Sequence, residues 1–242
     1  MQIQRRRLLK AFSVSCLFIA LSACGPKAYR VHPEIETYTK NIKTVALAPP
    51  NIKIYALTAG GVQELRDDWS EQGKQNVIKA VVDHFKDEKV PVKVVTVPKP
   101  VEQEMEEIHS LYRAVSGSII VHTYYPQYTF PEKKEHFEYS IGSIEKILDS
   151  TGANALIIIY GDDEISTGGR KFMTAITSPL SLITGMKPRS GITDMSIALV
   201  DKSGRVLWYN IGGKEGGYDL RKPGSAAGFV NEVLAGFPEL KK

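Results

Sequence analysis

Cysteine is nearly missing from this 242-residue chain, which has two, Cys16 and Cys24, both close to its start. Residues 25–242 hold no thiol, so neither a disulfide framework nor a Cys–His nucleophile is open to them. Stability must come from a packed core. Long apolar runs are scarce too. Ala11–Leu21, broken by two serines, falls well short of the roughly 20 residues of a spanning helix. No G-x-S-x-G occurs, and Gly224-Ser225-Ala226-Ala227-Gly228 puts its serine at the wrong offset for a nucleophile elbow. Gly73-Lys74 lacks the first glycine and the following Ser or Thr of a P-loop. Gly212 to Gly217 fits neither that loop nor G-x-G-x-x-G, and is expected to be a flexible loop. Surplus charge is missing as well. The formal +4 comes from Arg5, Arg6, Arg7 and Lys10, and beyond residue 23 the chain is balanced, with 27 basic against 27 acidic residues. A nucleic-acid partner thereby loses its main support.

What is present begins with a three-part leader. The basic residues 5–10 precede the apolar stretch 11–21, and small residues lead into Cys24. Leu21-Ser22-Ala23-Cys24 resembles the bacterial lipobox, in which the cysteine sulfur receives a diacylglycerol and becomes the new N-terminus, with further acylation such as palmitate. On this reading residues 1–23 are a cleaved signal peptide and Cys24 carries a covalent lipid, with no other cofactor expected. By resemblance to lipoprotein sorting, Gly25 in place of Asp implies the outer membrane, with the chain on the periplasmic face. Residues 24–41, with Pro26 and Pro33, read as a tether, and 42–240 as one domain, since no repeat, low-complexity block or Gly/Ser linker divides it.

Within that domain the pattern alternates between strands and helices. Thr44 to Ala48 is a short apolar strand ended by Pro49-Pro50, and Ile52, Ile54 and Ala56 alternate after it. Gly60-Gly61 is expected to open a helix with Leu65, Trp69, Val77, Val81 and Phe85 on one face. Gly73 on that stripe suggests close approach to a neighbour. Val90 to Val97 is a β-branched strand. A second helix runs from Val101 through Met105, Ile108, Tyr112 and Val115, with room to continue to His122. Tyr124 to Tyr139 reads as an ordered loop, followed by a short helix capped by Ser143 and ended by Gly152. Ala155 to Tyr160 is apolar without alternation, as in a central strand covered on both faces. Thr193 to Val200, a turn at Asp201–Gly204 and Arg205 to Ile211 form an antiparallel hairpin. Phe229 to Phe237 is a final amphipathic helix. The expected fold is α/β, a single domain with a mixed sheet of about five strands flanked by helices, ending in that hairpin and helix.

The strand Val45 to Pro49, the run Ala153 to Gly161 and the hairpin Ala198 to Asn210 resemble a superfamily of periplasmic lipoproteins. It includes the curli-secretion lipoprotein, the penicillin-binding-protein activator lipoproteins and the N-terminal domain of the Tol-system translocation protein. The resemblance implies a small α/β domain that acts by contacting envelope proteins or by self-association, with no chemistry of its own. The stretch Glu102 to Tyr139 is longer than that family's pattern, and no paired long alternating strands suggest a pore.

Two segments stand out as candidate sites. Asp162, Asp163 and Glu164 follow the central strand, where open α/β sheets often bind ligands, and three carboxylates suit a hard cation. They support an alternative function, a hydrolase or a small-ligand or cation-binding domain. Glu135 to Glu138, around His136, is a weaker version of the same idea. His84 and His109 lie beside apolar helix faces and are expected to be partly buried and hydrogen-bonded. The segment 166–189 carries Phe172, Met173, Ile176, Leu180 and Ile183 on one face, hydroxyls on another and basic residues at both ends. It is the expected contact surface for a protein partner or a membrane, unless it packs on the sheet as an ordinary crossover.

Overall fold

The computed structural model describes residues 28–87, 92–95, 101–172, 174–175 and 191–240. The leader, Cys24, Met173, Ile176, Leu180 and Ile183 lie outside the described residues.

One mixed sheet organises the domain. Its strands are β1 (Arg30–Val31), β2 (Val45–Leu47), β3 (Asn51–Leu57), β4 (Gln63–Leu65), β5 (Val92–Val94), β6 (Ala155–Ser166), β7 (Ile192–Asp201) and β8 (Val206–Glu215). The order is β1-β8-β7-β6-β2-β5, with β3 also paired to β6 and β4 hairpinned on β3. There are eight strands where about five were expected, and the unforeseen ones, β1 and β4, are two and three residues long. Elements that short leave no periodic pattern to read.

β2 and β3 form one interrupted strand along β6. Leu47 pairs with Ile157 and Asn51 with Tyr160, so the chain between them holds one residue more than β6 does. Pro49-Pro50 sits at that break, where two residues without N–H cannot feed a ladder. β6 is buried on both faces, as its unbroken apolar run predicts. On one face Ala155, Ile157 and Ile159 meet Val77, Val81 and Phe85 of α2 (Asp67–Asp87) and Phe229 and Val233 of α6 (Pro223–Val233). On the other, Leu156 and Ile158 meet Met105, Ile108 and Tyr112 of α3 (Glu102–Thr123) and Ile147 and Leu148 of α5 (Glu145–Thr151). The result is three layers, helix on sheet on helix. Among the described residues no helix is long and apolar enough to cross a membrane.

Several local readings hold at the residue level. A Cβ on Gly73 would stand 2.6 Å from Ile54 Cδ1, so the glycine does mark a close approach of α2 to β3. Asp201 Oδ1 accepts from the N–H groups of Ser203 and Arg205, and Gly204 supplies φ +84° in the β7–β8 turn. Gly152 ends α5 at φ +65°.

Other readings need correction. The helix expected from Gly60-Gly61 begins only at Asp67, because residues 63–65 pair with β3 and Leu65 is exposed. Tyr124 to Tyr139 is not wholly loop, since it contains a 3-10 turn at Pro126–Tyr128 and α4 (Pro131–Glu135). The stretch expected as tether is folded from Tyr29 onward. Arg30 pairs with Tyr209 and Val31 with Trp208, Tyr29 packs on the Trp208 ring, and α1 (Ile35–Thr39) follows. The physical reason is that β8 would otherwise present an unpaired edge, and β1 pairs with it while Tyr29 and Val31 pack on the same core as Trp208.

Candidate functional site

The acidic run does not follow the central strand but lies inside it. β6 continues to Ser166, with β3 on one side and β7 on the other. Successive residues of a strand point to opposite faces, so the three acids cannot converge. Asp163 turns toward α6 and is fully buried. Its carboxylate accepts from the Thr193 hydroxyl at 2.7 Å and from the Leu220 N–H at 2.8 Å. Burial pushes its carboxyl up to about 6 against the pull of those two hydrogen bonds. It ties the loop before α6 to the sheet, a structural task.

Asp162 and Glu164 continue the other face of β6. Asp162 lies in register between Lys53 of β3 and Asp194 of β7, and Gln63 donates to Glu164. Asp194 was not singled out in the sequence. Its only signal is that it occupies the polar phase of a strand whose other phase is Met195, Ile197 and Leu199. Its side chain reaches solvent, yet its carboxyl is raised to about 6, first by partial desolvation and then by Asp162, Glu164 and Asp163. Asp162 is raised as well, chiefly by burial, while Tyr160, Lys53 and Arg113 oppose the shift. Crowding of like charges is what this arrangement produces. Among the described residues no group of three His, Cys, Asp or Glu has the geometry to hold a metal ion.

Two clefts border the upper end of the sheet. One, of about 710 Å3, is lined by Glu164, Lys171, Asp219, Arg221, Lys222 and Ser225 among others. Three of its charges are already paired, because Asp219 bonds Arg221 at 2.9 Å and Lys222 at 3.4 Å. Desolvation works against Asp219, but Arg221 and Lys222 prevail and hold its carboxyl below the ordinary value. The Arg221 guanidinium lies 4.1 Å from the Trp69 ring and that of Arg66 4.4 Å, so the indole faces two cations. The second cleft, of about 660 Å3, opens at the Pro49-Pro50 break between α2 and α3, lined by Glu71, Lys74, Glu102, Glu106 and His109. Burial first, then Lys74, lowers the His109 pKa and keeps that ring neutral. His84 bonds Asn231 at 2.9 Å and is half-buried.

Phe172 is 65% exposed, among the helical residues that follow β6 from residue 168. These residues touch the β3–β4 hairpin. A Cβ on Gly169 would meet Ala59 at 3.7 Å, and one on Gly61 would meet Arg170 at 3.4 Å. Val62, on that hairpin, is 62% exposed. Two apolar side chains thus stand in water on two segments that contact each other. On the α3 side lies a polar knot that sequence reading missed. Tyr112 donates to Ser196 Oγ at 3.0 Å, and Ser116 Oγ lies 2.7 Å from the Tyr209 hydroxyl. Burial raises both phenols far above their ordinary range and keeps them neutral. The signal was the pair Tyr112 and Ser116, one helical turn apart on the same face.

No protein-family model and no curated protein sequence matches the chain. Among solved structures, the C-terminal domain of LpoB from Salmonella enterica is similar over 77% of this chain and 96% of that one. Identity is 10% and the TM-score 0.26, too slight a likeness to transfer either geometry or function.

Proposed function

We propose that this chain is a lipid-anchored component of a bacterial cell envelope, acting by binding other envelope proteins rather than by catalysis. The lipid on Cys24 holds it on the periplasmic face of a membrane, the outer one by the Gly25 rule. The single observation that carries the binding role is the exposure of both Phe172 and Val62, on two segments that touch through Arg170 and Ala59. Large apolar side chains left in water on adjoining segments are what a contact surface offers a partner. Strand alternation weighs against the alternative, a hydrolase or cation-binding domain at residues 162–164. It sends Asp163 into the core and the other two carboxylates to the opposite face. Photo-crosslinking in intact cells from positions 62 and 172 tests the reading. Capture of one defined envelope protein, or of a second copy, from both positions supports it. Capture of lipid alone from both overturns it.

A further inference from the structure

The first described residue, Ala28, lies in a cleft of about 800 Å3 shared with Tyr124, Pro126, Pro131 and Lys134. The chain is pinned there. Arg30 donates to the Thr123 carbonyl at 2.6 Å, and its guanidinium lies 4.0 Å from the Tyr124 ring centre. Immediately beyond, the chain turns outward in a knuckle bearing Tyr125, Tyr128 and Phe130, which are 49%, 60% and 56% exposed. The knuckle is built, not loose. The N–H of Tyr128 bonds the Tyr125 carbonyl at 3.0 Å, and that of Phe130 bonds His122 at 3.1 Å. The Thr129 hydroxyl donates to Tyr125 at 2.8 Å, and the His122 ring stacks on Phe130 at 4.6 Å. Three aromatic rings are held outward by the backbone close to Ala28 and Arg30.

Only Gly25, Pro26 and Lys27 separate Ala28 from Cys24. Four residue steps span at most about 14 Å, however they are arranged. Acyl chains on Cys24 would therefore keep Ala28 within about that distance of the headgroups. The face carrying Ala28 would then have to face the bilayer. We propose that the Tyr125–Phe130 knuckle is a bilayer-contacting surface, seated at headgroup level in the leaflet that holds the Cys24 lipid. This rests on the lipid-anchored reading above. Tyrosine suits that depth, since its ring is apolar and its hydroxyl remains wet. Charged neighbours on α4 are Glu132, Lys133, Lys134 and Glu135, which offset one another, so the rings lead the contact and charge adds little. The orientation has a consequence for the working surface. β1 and the knuckle lie at one edge of the sheet and the β3–β4 hairpin at the other, so docking would turn Val62 away from the membrane toward a partner.

The acylated chain contains no free thiol, so one introduced cysteine can be labelled alone. Full-length Tyr128→Cys and Val62→Cys proteins, each carrying an environment-sensitive fluorophore, are reconstituted in phosphatidylethanolamine–phosphatidylglycerol vesicles containing headgroup-quenching lipids. Both replaced side chains are exposed, so the core is untouched. The expected result is loss of fluorescence at 128 and none at 62. Equal quenching at both positions, or none at 128, with Cys24 acylated by mass spectrometry, overturns this proposal and leaves the anchoring reading standing. A bare Cys24 overturns both.

Discussion

Asp163 and Asp194 make the sheet sensitive to pH in a defined direction. Both carboxyls are raised to about 6 in the folded chain, with burial the main cause. A raised carboxyl favours folding while protonated. That contribution is complete below the ordinary value of about 4 and is lost as pH rises through about 6. Urea midpoints measured across this window should therefore fall with rising pH. Asp194→Asn should flatten the decline and raise the midpoint at neutral pH, by about 1 kcal/mol or less because solvent screens this side chain. Asp163 has a second role as an acceptor. At about pH 5, Asp163→Ala should cost about 1–3 kcal/mol, since the Leu220 N–H is left buried without a partner. A midpoint unchanged in that variant would show that the loop before α6 is not tied to the sheet by this bond. In the sequence Asp163 was one of three adjacent acids. Nothing local distinguished the buried one, because only the pairing of β6 with β7 decides which face each takes.

At the scale of elements, helix α2 depends on a missing side chain. Gly73→Val should lower the unfolding free energy by about 1–3 kcal/mol through overpacking against Ile54, which is fully buried. Circular dichroism on heating would register the loss, and an unchanged transition would mean α2 and β3 can separate freely. The stripe Val77, Val81, Phe85 was legible because period-four burial is a local property of a helix. The start of α2 was not. Gly60-Gly61 is a turn signal that suits a helix entry or a hairpin equally, and pairing of residues 63–65 with β3 chose the hairpin.

For the whole molecule, the chain between Cys24, the proposed lipid site, and the first residues packed on the sheet is much shorter than the prolines suggest. Replacing residues 28–41 by a Gly/Ser spacer of equal length should destabilise the domain by about 2–4 kcal/mol. The loss is the burial of Tyr29, Val31, Ile35 and Tyr38 against the core that holds Trp208. A mere tether would tolerate that exchange without any change in midpoint. On the proposed anchoring, Cys24→Ala should move the protein from the membrane fraction to the soluble fraction of lysed cells. An unchanged distribution would overturn the lipid on Cys24.

The sequence by itself determined the type and the buried faces of the long apolar segments, as in residues 155–160 of β6, α2 from Trp69 onward and α3. Apolar periodicity is written residue by residue into the local chain. Tertiary structure alone decided that residues 28–39 belong to the fold, that the acids of β6 diverge, and that an aromatic knuckle stands beside Arg30. Each of these depends on partners far apart in sequence, Arg30 with Thr123 or Asp163 with Leu220. No local pattern encodes such pairs, since they form only when the two layers of helices close on the sheet.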